Sequence, residues 1–332
     1  MADPVRPASL TLATFNVHMG VDGWGRPYDV VSGCAGLGAD LLVLQESWAP
    51  DSGAPSTAAR LADQLGYDVV AEVGLAHGRL FAPHPTTSTS WGPFLTQVRT
   101  ALHLDDQPFR SRAGPADRPF ELGWWGLALL ARIPVRDVEI IPLGRLRRDP
   151  ASRSVIGAVV GLEGGDLAVY GTHMSHITQG SHAQYRRLAT ALSPGRTAAV
   201  LAGDMNLWGP PVSSYLRGWH RTIVGRTWPA RRPHSQLDHV LATPQVTTVD
   251  ARVGPDVGSD HRPLVVTLAV TDPSCGPAGE PAPAPPEPTA GVGVGVGSAP
   301  WPRPSTTSNA PPSPRRARPA PSTGPAAGRR SS

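Results

Sequence analysis

Residues 197–206 read Thr-Ala-Ala-Val-Leu-Ala-Gly-Asp-Met-Asn. The unbroken apolar run Ala198 to Ala202 is the pattern of a strand over 197–202 buried on both faces, and the chain turns polar as soon as the run ends. A carboxylate and an amide at the carboxyl end of a buried strand stand where α/β proteins assemble their sites. Asp204 alone would be equally well explained by a Gly-Asp turn. The arrangement recurs, however: Asn16, Gln45-Glu46, Thr172-His173, Asp238-His239 and Ser259-Asp260-His261 all stand at or beside the ends of apolar runs.

Outward from that strand, the alternation of Leu10 to Val17 and the short runs at 41–45, 68–73, 125–130, 135–141, 154–162, 167–172, 238–242, 246–253 and 263–270 read as further strands. Asp29 can cap a short helix, and Thr57 to Leu65 reads as a helix stopped by Gly66. The segment 181–192 reads as the best helix, with Ser181 and Gln184 spaced as a capping box and Tyr185, Leu188, Ala189 and Leu192 on one stripe. Many strands joined by short turns, with few helices between them, predict a layered α/β fold with mixed sheets rather than a doubly wound parallel sheet.

Residues 77–122 carry Pro83, Pro85, Pro93, Pro108, Pro115 and Pro119 with little periodicity, and are expected to form an insertion over one face. Its aromatic residues Trp91, Phe94, Phe109 and Phe120, with Trp124 and Trp125 just beyond it, suit stacking on bases, contact with lipid or plain packing. After Thr271 the pattern is lost to Pro, Ala, Gly and Ser. The expected organisation is a short arm (1–8), one folded domain (9–271) and a disordered tail (272–332).

The 30 cationic residues are all arginine; six follow residue 270, against Asp272, Glu280 and Glu287, so the domain holds 24 Arg against 23 acids and the net +4 belongs almost wholly to the tail. A sequence-general nucleic-acid binder would concentrate that excess on the folded domain. Cys34 and Cys275 are not expected to pair and have no neighbouring ligand pair for zinc. The first residues lack a basic region followed by an apolar core, and no run approaches a membrane span, so the expected location is cytoplasmic.

The motifs together resemble the endonuclease/exonuclease/phosphatase superfamily. Thr14-Phe15-Asn16 is similar to its opening Asn motif, Leu44-Gln45-Glu46 to its metal-ligand Glu motif and Gly171-Thr172-His173 to its central His motif. Gly203-Asp204-Met205-Asn206 matches Gly-Asp-x-Asn, Leu237-Asp238-His239-Val240 the Asp-bearing strand, and Ser259-Asp260-His261-Arg262-Pro263 the closing Ser-Asp-His-x-Pro. Gly126 to Pro134 resembles the strand and Arg-x-Pro turn between the second and third motifs. The resemblance implies a four-layer α/β/β/α sandwich of two mixed sheets, and hydrolysis of phosphoesters.

Hydroxide is repelled by a phosphate ester, so a hard cation, proton-transfer groups and amide donors must meet at one phosphorus. The resemblance implies Mg²⁺, with Mn²⁺ as a substitute, held by Glu46, Asn16 and Asp260. It implies that Asp204 orients or deprotonates water, that Asn206 donates to phosphoryl oxygens, that His173 donates to a phosphate oxygen or helps the leaving group, and that His261, oriented by Asp238, contacts the phosphate or acts as a base. Arg153 and His176 are candidate substrate contacts. His18 stands where some family nucleases carry a second acidic ligand, and His182 and His239 suit packing as well as ligation. The favoured substrate is nucleic acid, the alternatives being lipid or inositol phosphates and a catalytically inactive binding module; no obligate protein partner is evident.

Overall fold

The computed structural model describes residues 6–23, 25–81, 119–193 and 197–270. Among these residues twelve strands form two six-stranded sheets. The first has the order β11 (Val246–Val253), β12 (Leu264–Val270), β1 (Leu10–Asn16), β2 (Leu41–Pro50), β4 (Phe120–Ala131) and β3 (Asp68–Phe81). The second has the order β5 (Arg136–Arg145), β6 (Ser152–Leu162), β7 (Gly165–His173), β8 (Ala198–Asp204), β10 (Asp238–Ala242) and β9 (His220–Arg221). Each has one parallel pair at its centre, β1 with β2 and β7 with β8, flanked by antiparallel neighbours. The sheets are therefore mixed, and they are built on the same plan.

The side-chain alternation of β8 shows how the layers are held. Ala198, Val200 and Ala202 enter the core between the sheets, where they join Leu12, Val43, Leu127, Ile156, Val169 and Val266. Ala199 and Leu201 point the other way, into a second core with Tyr185 and Leu188 of α3 (His182–Ala191) and Val212 of α4 (Gly209–Tyr215). On the far face of the first sheet, Phe15, Leu42 and Leu44 pack with Cys34 of α1 (Val30–Ala35) and Leu61 of α2 (Thr57–Leu65). Helix, sheet, sheet, helix is the resulting order, and each fully buried Leu or Val adds about 1.5–3 kcal/mol to it.

Asp29 caps α1 by accepting from the Ser32 N–H, and Gly66 ends α2 in the left-handed conformation, as expected. Residues 6–8 run beside the β6–β7 turn, where the Pro7 carbonyl accepts from the Glu163 N–H at 3.0 Å.

Two expectations need correction. The ends of the 77–122 insertion are strand: β3 continues to Phe81 and β4 begins at Phe120, paired residue for residue there, and residues 82–118, with Trp91, Phe94 and Phe109, lie outside the described set. Ser181 does not cap α3: it is already helical, and Gln184 instead accepts from the Ser175 N–H and donates to the Gly144 carbonyl. The reciprocal capping box is found at His176 and Gln179, on the 3-10 turn Ile177–Gln179. Helix α4 and the two-residue β9 were not expected from the sequence.

One irregularity matters for the site. Gln45 pairs with Leu127 and Ser47 with Gly126, so Glu46 is an extra residue in β2, bulged out of the ladder with φ 56°. A bulge frees a side chain from the alternation of the strand.

Candidate active site

Register assembles the centre of the site. His173 ends β7 and Asp204 ends β8, and the two pair directly; Asp238 opens β10 and pairs with Asp204 from the other side. Residues abreast on neighbouring strands project to the same face, so these three meet. Two glycines permit the approach. A Cβ on Gly203, which has φ 153°, would stand 1.9 Å from the Thr172 carbonyl oxygen, and one on Gly171 would stand 2.7 Å from Val43 of the opposing sheet.

Asp204 is 1% exposed and is held from both sides. One carboxylate oxygen accepts from the Asn206 N–H at 2.8 Å, with Asn206 itself left-handed. The other accepts from the Asn16 Nδ2 at 3.1 Å and lies 3.6 Å from His173 Nε2 and 3.8 Å from His261 Nε2. Burial raises its pKa, and Asp238 adds to the rise against the opposing pull of His261, the Asn206 N–H and the Asn16 amide.

His261 Nδ1 bonds to Asp238 Oδ2 at 2.8 Å. Burial alone would depress this imidazole, but the carboxylates of Asp238, Asp260 and Asp204 overcome it and carry its pKa well above the ordinary value. His173 is the opposite case. Burial, then Arg153, then His261 push its pKa well down, so its ring is neutral. The Asn206 Nδ2 stands 3.2 Å from its Nε2 and makes that nitrogen an acceptor; the proton then sits on Nδ1, which has no partner among the described residues.

The first sheet supplies the other half. Asn16 ends β1, donates from Nδ2 to Glu46 at 3.2 Å as well as to Asp204, and accepts the His18 N–H on its side-chain oxygen at 3.0 Å. Ser259 donates to the Asn16 carbonyl at 2.7 Å, which ties the Ser-Asp-His turn to the end of β1. His18 lies 3.6 Å from Asp260 and bonds to the Val21 carbonyl. Burial would lower the His18 pKa, but Asp260 and Glu46 raise it beyond its ordinary value. Asp260 is held low, because His18, His261 and Trp228 outweigh the effect of burial.

Four carboxylates, Glu46, Asp204, Asp238 and Asp260, thus converge with three imidazoles, and one Asn amide lies between two of the acids. Asp238 Oδ1 is buried without a partner among the described residues. Such an excess of hard oxygen donors and negative charge fits a divalent cation of the Mg²⁺ type. Atoms of Asp204, Asp238 and His261 also lie within 4.8 Å of one another; there the His261–Asp238 hydrogen bond occupies the Nδ1 nitrogen.

The remaining candidates fall elsewhere. Arg153 is 5% exposed and ion-paired to Asp149 at 2.9 Å, directly behind His173. His176 spends its Nδ1 on the Thr178 N–H and hydroxyl as a cap. His182 meets the Tyr215 hydroxyl, and His239, pushed down to about 4 by burial, bonds to the Leu207 carbonyl on the helix side of β10. Residues not singled out as chemistry include Asp149, Ser175 and Tyr28, whose ring fills the place of a Cβ on Gly258, before Ser259.

The profile of the Endonuclease/Exonuclease/phosphatase family matches residues 13–261, from the opening Asn motif to His261 of the closing one. The chain belongs to this family. Its sheets and the site at their strand ends are accordingly those of a phosphoester hydrolase family. No curated protein matches the sequence. Among solved structures, the family member from Beutenbergia cavernae is 20% identical with TM-score 0.53, over 80% of this chain and 72% of that one. A Bacteroides thetaiotaomicron family protein is 16% identical with TM-score 0.51, over 80% and 99%. One from Bacteroides vulgatus is 16% identical with TM-score 0.50, over 79% and 99%. At such identities the likeness concerns the fold. Among the described residues no helix is long and apolar enough to cross a membrane.

Proposed function

We propose that the chain is a Mg²⁺-dependent phosphodiesterase acting on nucleic acid, with Mn²⁺ able to replace Mg²⁺. The observation that carries this reading is the position of Asp204. Its carboxylate is gripped by the Asn206 N–H and the Asn16 amide, and both His173 and His261 stand within 4 Å of the oxygen that faces them.

In this reading Glu46 and Asp260, with the Asn16 side-chain oxygen, would hold the cation, which when bound would supply Lewis-acid polarisation of the phosphoryl oxygen. Asp204 takes a proton from water as the water oxygen bonds to phosphorus and the bond to the leaving oxygen breaks. Its raised pKa suits a base working near neutral pH. His261, kept as imidazolium by Asp238, pairs with the charge that gathers on the phosphoryl oxygens, and the Asn206 amide donates to the same group. His173 contributes as a neutral ring. Nucleic acid is favoured because Trp208, half exposed, follows Asn206 by two residues, and an indole in that place suits a base. His176, at the turn after β7, is placed at the rim of the same end of the sheet. The catalytic unit is proposed to end near residue 271.

Initial rates on supercoiled DNA, abasic-site duplex, RNA, sphingomyelin, inositol phosphates and bis-nitrophenyl phosphate, with Mg²⁺, Mn²⁺ or EDTA, test the reading. Cleavage of a nucleic acid that needs the cation and disappears in Asp204→Ala supports it. Cleavage confined to lipid or inositol phosphates moves the substrate class, and silence in every arm favours a binding module.

A further inference from the structure

We propose that Arg153 is a positioning residue for His173, acting through that histidine's backbone carbonyl and through the indole of Trp125. The guanidinium does not stand free for a substrate: it is 5% exposed and spans three partners. Its Nε donates to Asp149 at 2.9 Å, its Nη1 donates to the His173 carbonyl at 3.4 Å, and its Cζ lies over the Trp125 ring, 5.0 Å from the centroid. Trp125 in turn packs its ring 5.7 Å from that of His173.

The anchor of this assembly is Asp149, itself 2% exposed. It accepts the Ala151 N–H at 2.9 Å, the Ser175 hydroxyl and the Arg153 Nε. Ser175 lies two residues beyond His173, so the same carboxylate fixes the chain on the far side of the histidine. A planar fork is what such a task requires: a point cation could satisfy the carboxylate but could not at once reach the carbonyl and cover the indole. Asn206 steers one edge of the His173 ring, and the Arg153 assembly fixes the backbone and one ring face.

The kinetic arm of the test rests on the phosphoesterase reading, and a labelling arm does not. Arg153→Met and Asp149→Asn are compared with wild type on bis-nitrophenyl phosphate. Both are expected to lower kcat by about 30-fold and to leave KM within about threefold, the signature of a displaced catalytic group. Labelling of His173 by diethyl pyrocarbonate, read by mass spectrometry against the exposed His220 and His234, is expected to rise about fivefold in both as the segment loosens.

A KM raised about tenfold in Arg153→Met with kcat kept, while Asp149→Asn behaves as wild type, would overturn the proposal in favour of direct substrate binding. Unchanged His173 labelling in both variants would also overturn it, and this arm decides even if wild type cleaves nothing. Because Arg153→Met leaves a buried carboxylate without its cation, Ser175→Ala is the gentler second variant. It removes one donor, and the same pairing of lower kcat with higher labelling is expected from it at smaller size.

Discussion

The two sheets share a plan and differ in how they deliver a carboxylate. In the second, Asp204 ends the central strand in register with His173 and Asp238 and is 1% exposed. In the first, the equivalent place opposite Asn16 is taken by Gln45, and the acid is Glu46, thrown out of the ladder by a left-handed residue. Its neighbours are wetter as well: the His18 and Asp260 side chains keep 23% and 20% of their exposure, against 3% and 2% for His173 and Asp204. In the proposed reading the difference separates tasks. A group that moves a proton gains from a dry, fixed setting, whereas a cation that keeps part of its water shell needs oxygen ligands it can reach from solvent.

The strongest way to break this division is Asp204→Ala. It should lower kcat by about 10³–10⁴-fold, measured from initial rates, while calorimetric Mg²⁺ binding persists. Loss of both together would show that the two halves are one metal site. Asp238→Asn, which leaves His261 without its carboxylate, should cost about 10²–10³-fold in kcat with the same metal affinity. From the other half, Glu46→Gln should abolish the thermal stabilisation by Mg²⁺, which in wild type is worth about 2.7 kcal/mol at about 100 times Kd.

The pH dependence sharpens the dry half. Since the folded-state pKa of His261 is raised above its ordinary 6.5, the stabilisation it gives is fully present below that value and fades as pH rises through the folded-state pKa. In EDTA, wild type should therefore exceed His261→Gln in Tm by about 3 °C at acidic pH, with the gap closing on the alkaline side. A gap that widens with pH would mean the ring is neutral. The smallest effect is expected from deleting residues 272–332, which should leave kcat on a small substrate within about twofold.

Much of this was legible in the sequence because strands announce themselves by period and end. The apolar run 198–202 closes on Asp204, and the stretch 238–242 opens on Asp238, so the residues that register later places abreast were already visible at strand ends. What remained hidden depended on contacts between distant segments or on breaks in a rule. The bulge at Glu46 leaves no mark in composition. Helix α4 starts at Gly209-Pro210-Pro211, which reads as a loop although Pro is well suited to a first helical turn. Ser181 and Gln184 have the right spacing for a cap, yet Gln184 is bound elsewhere, while a histidine does the capping at 176. Arg153 could be read as a surface cation because its partner Asp149 lies before the strand, and burial is a tertiary fact.

The bulge at residue 46 sets stability against function. A β2 lacking one residue there could pair without interruption along β4, relieving a left-handed side chain and making the strand more regular. A laboratory selection for heat resistance alone would favour such a deletion. The same change would withdraw the Glu46 carboxylate, so selection for thermotolerance in this chain should include an activity screen from its first round.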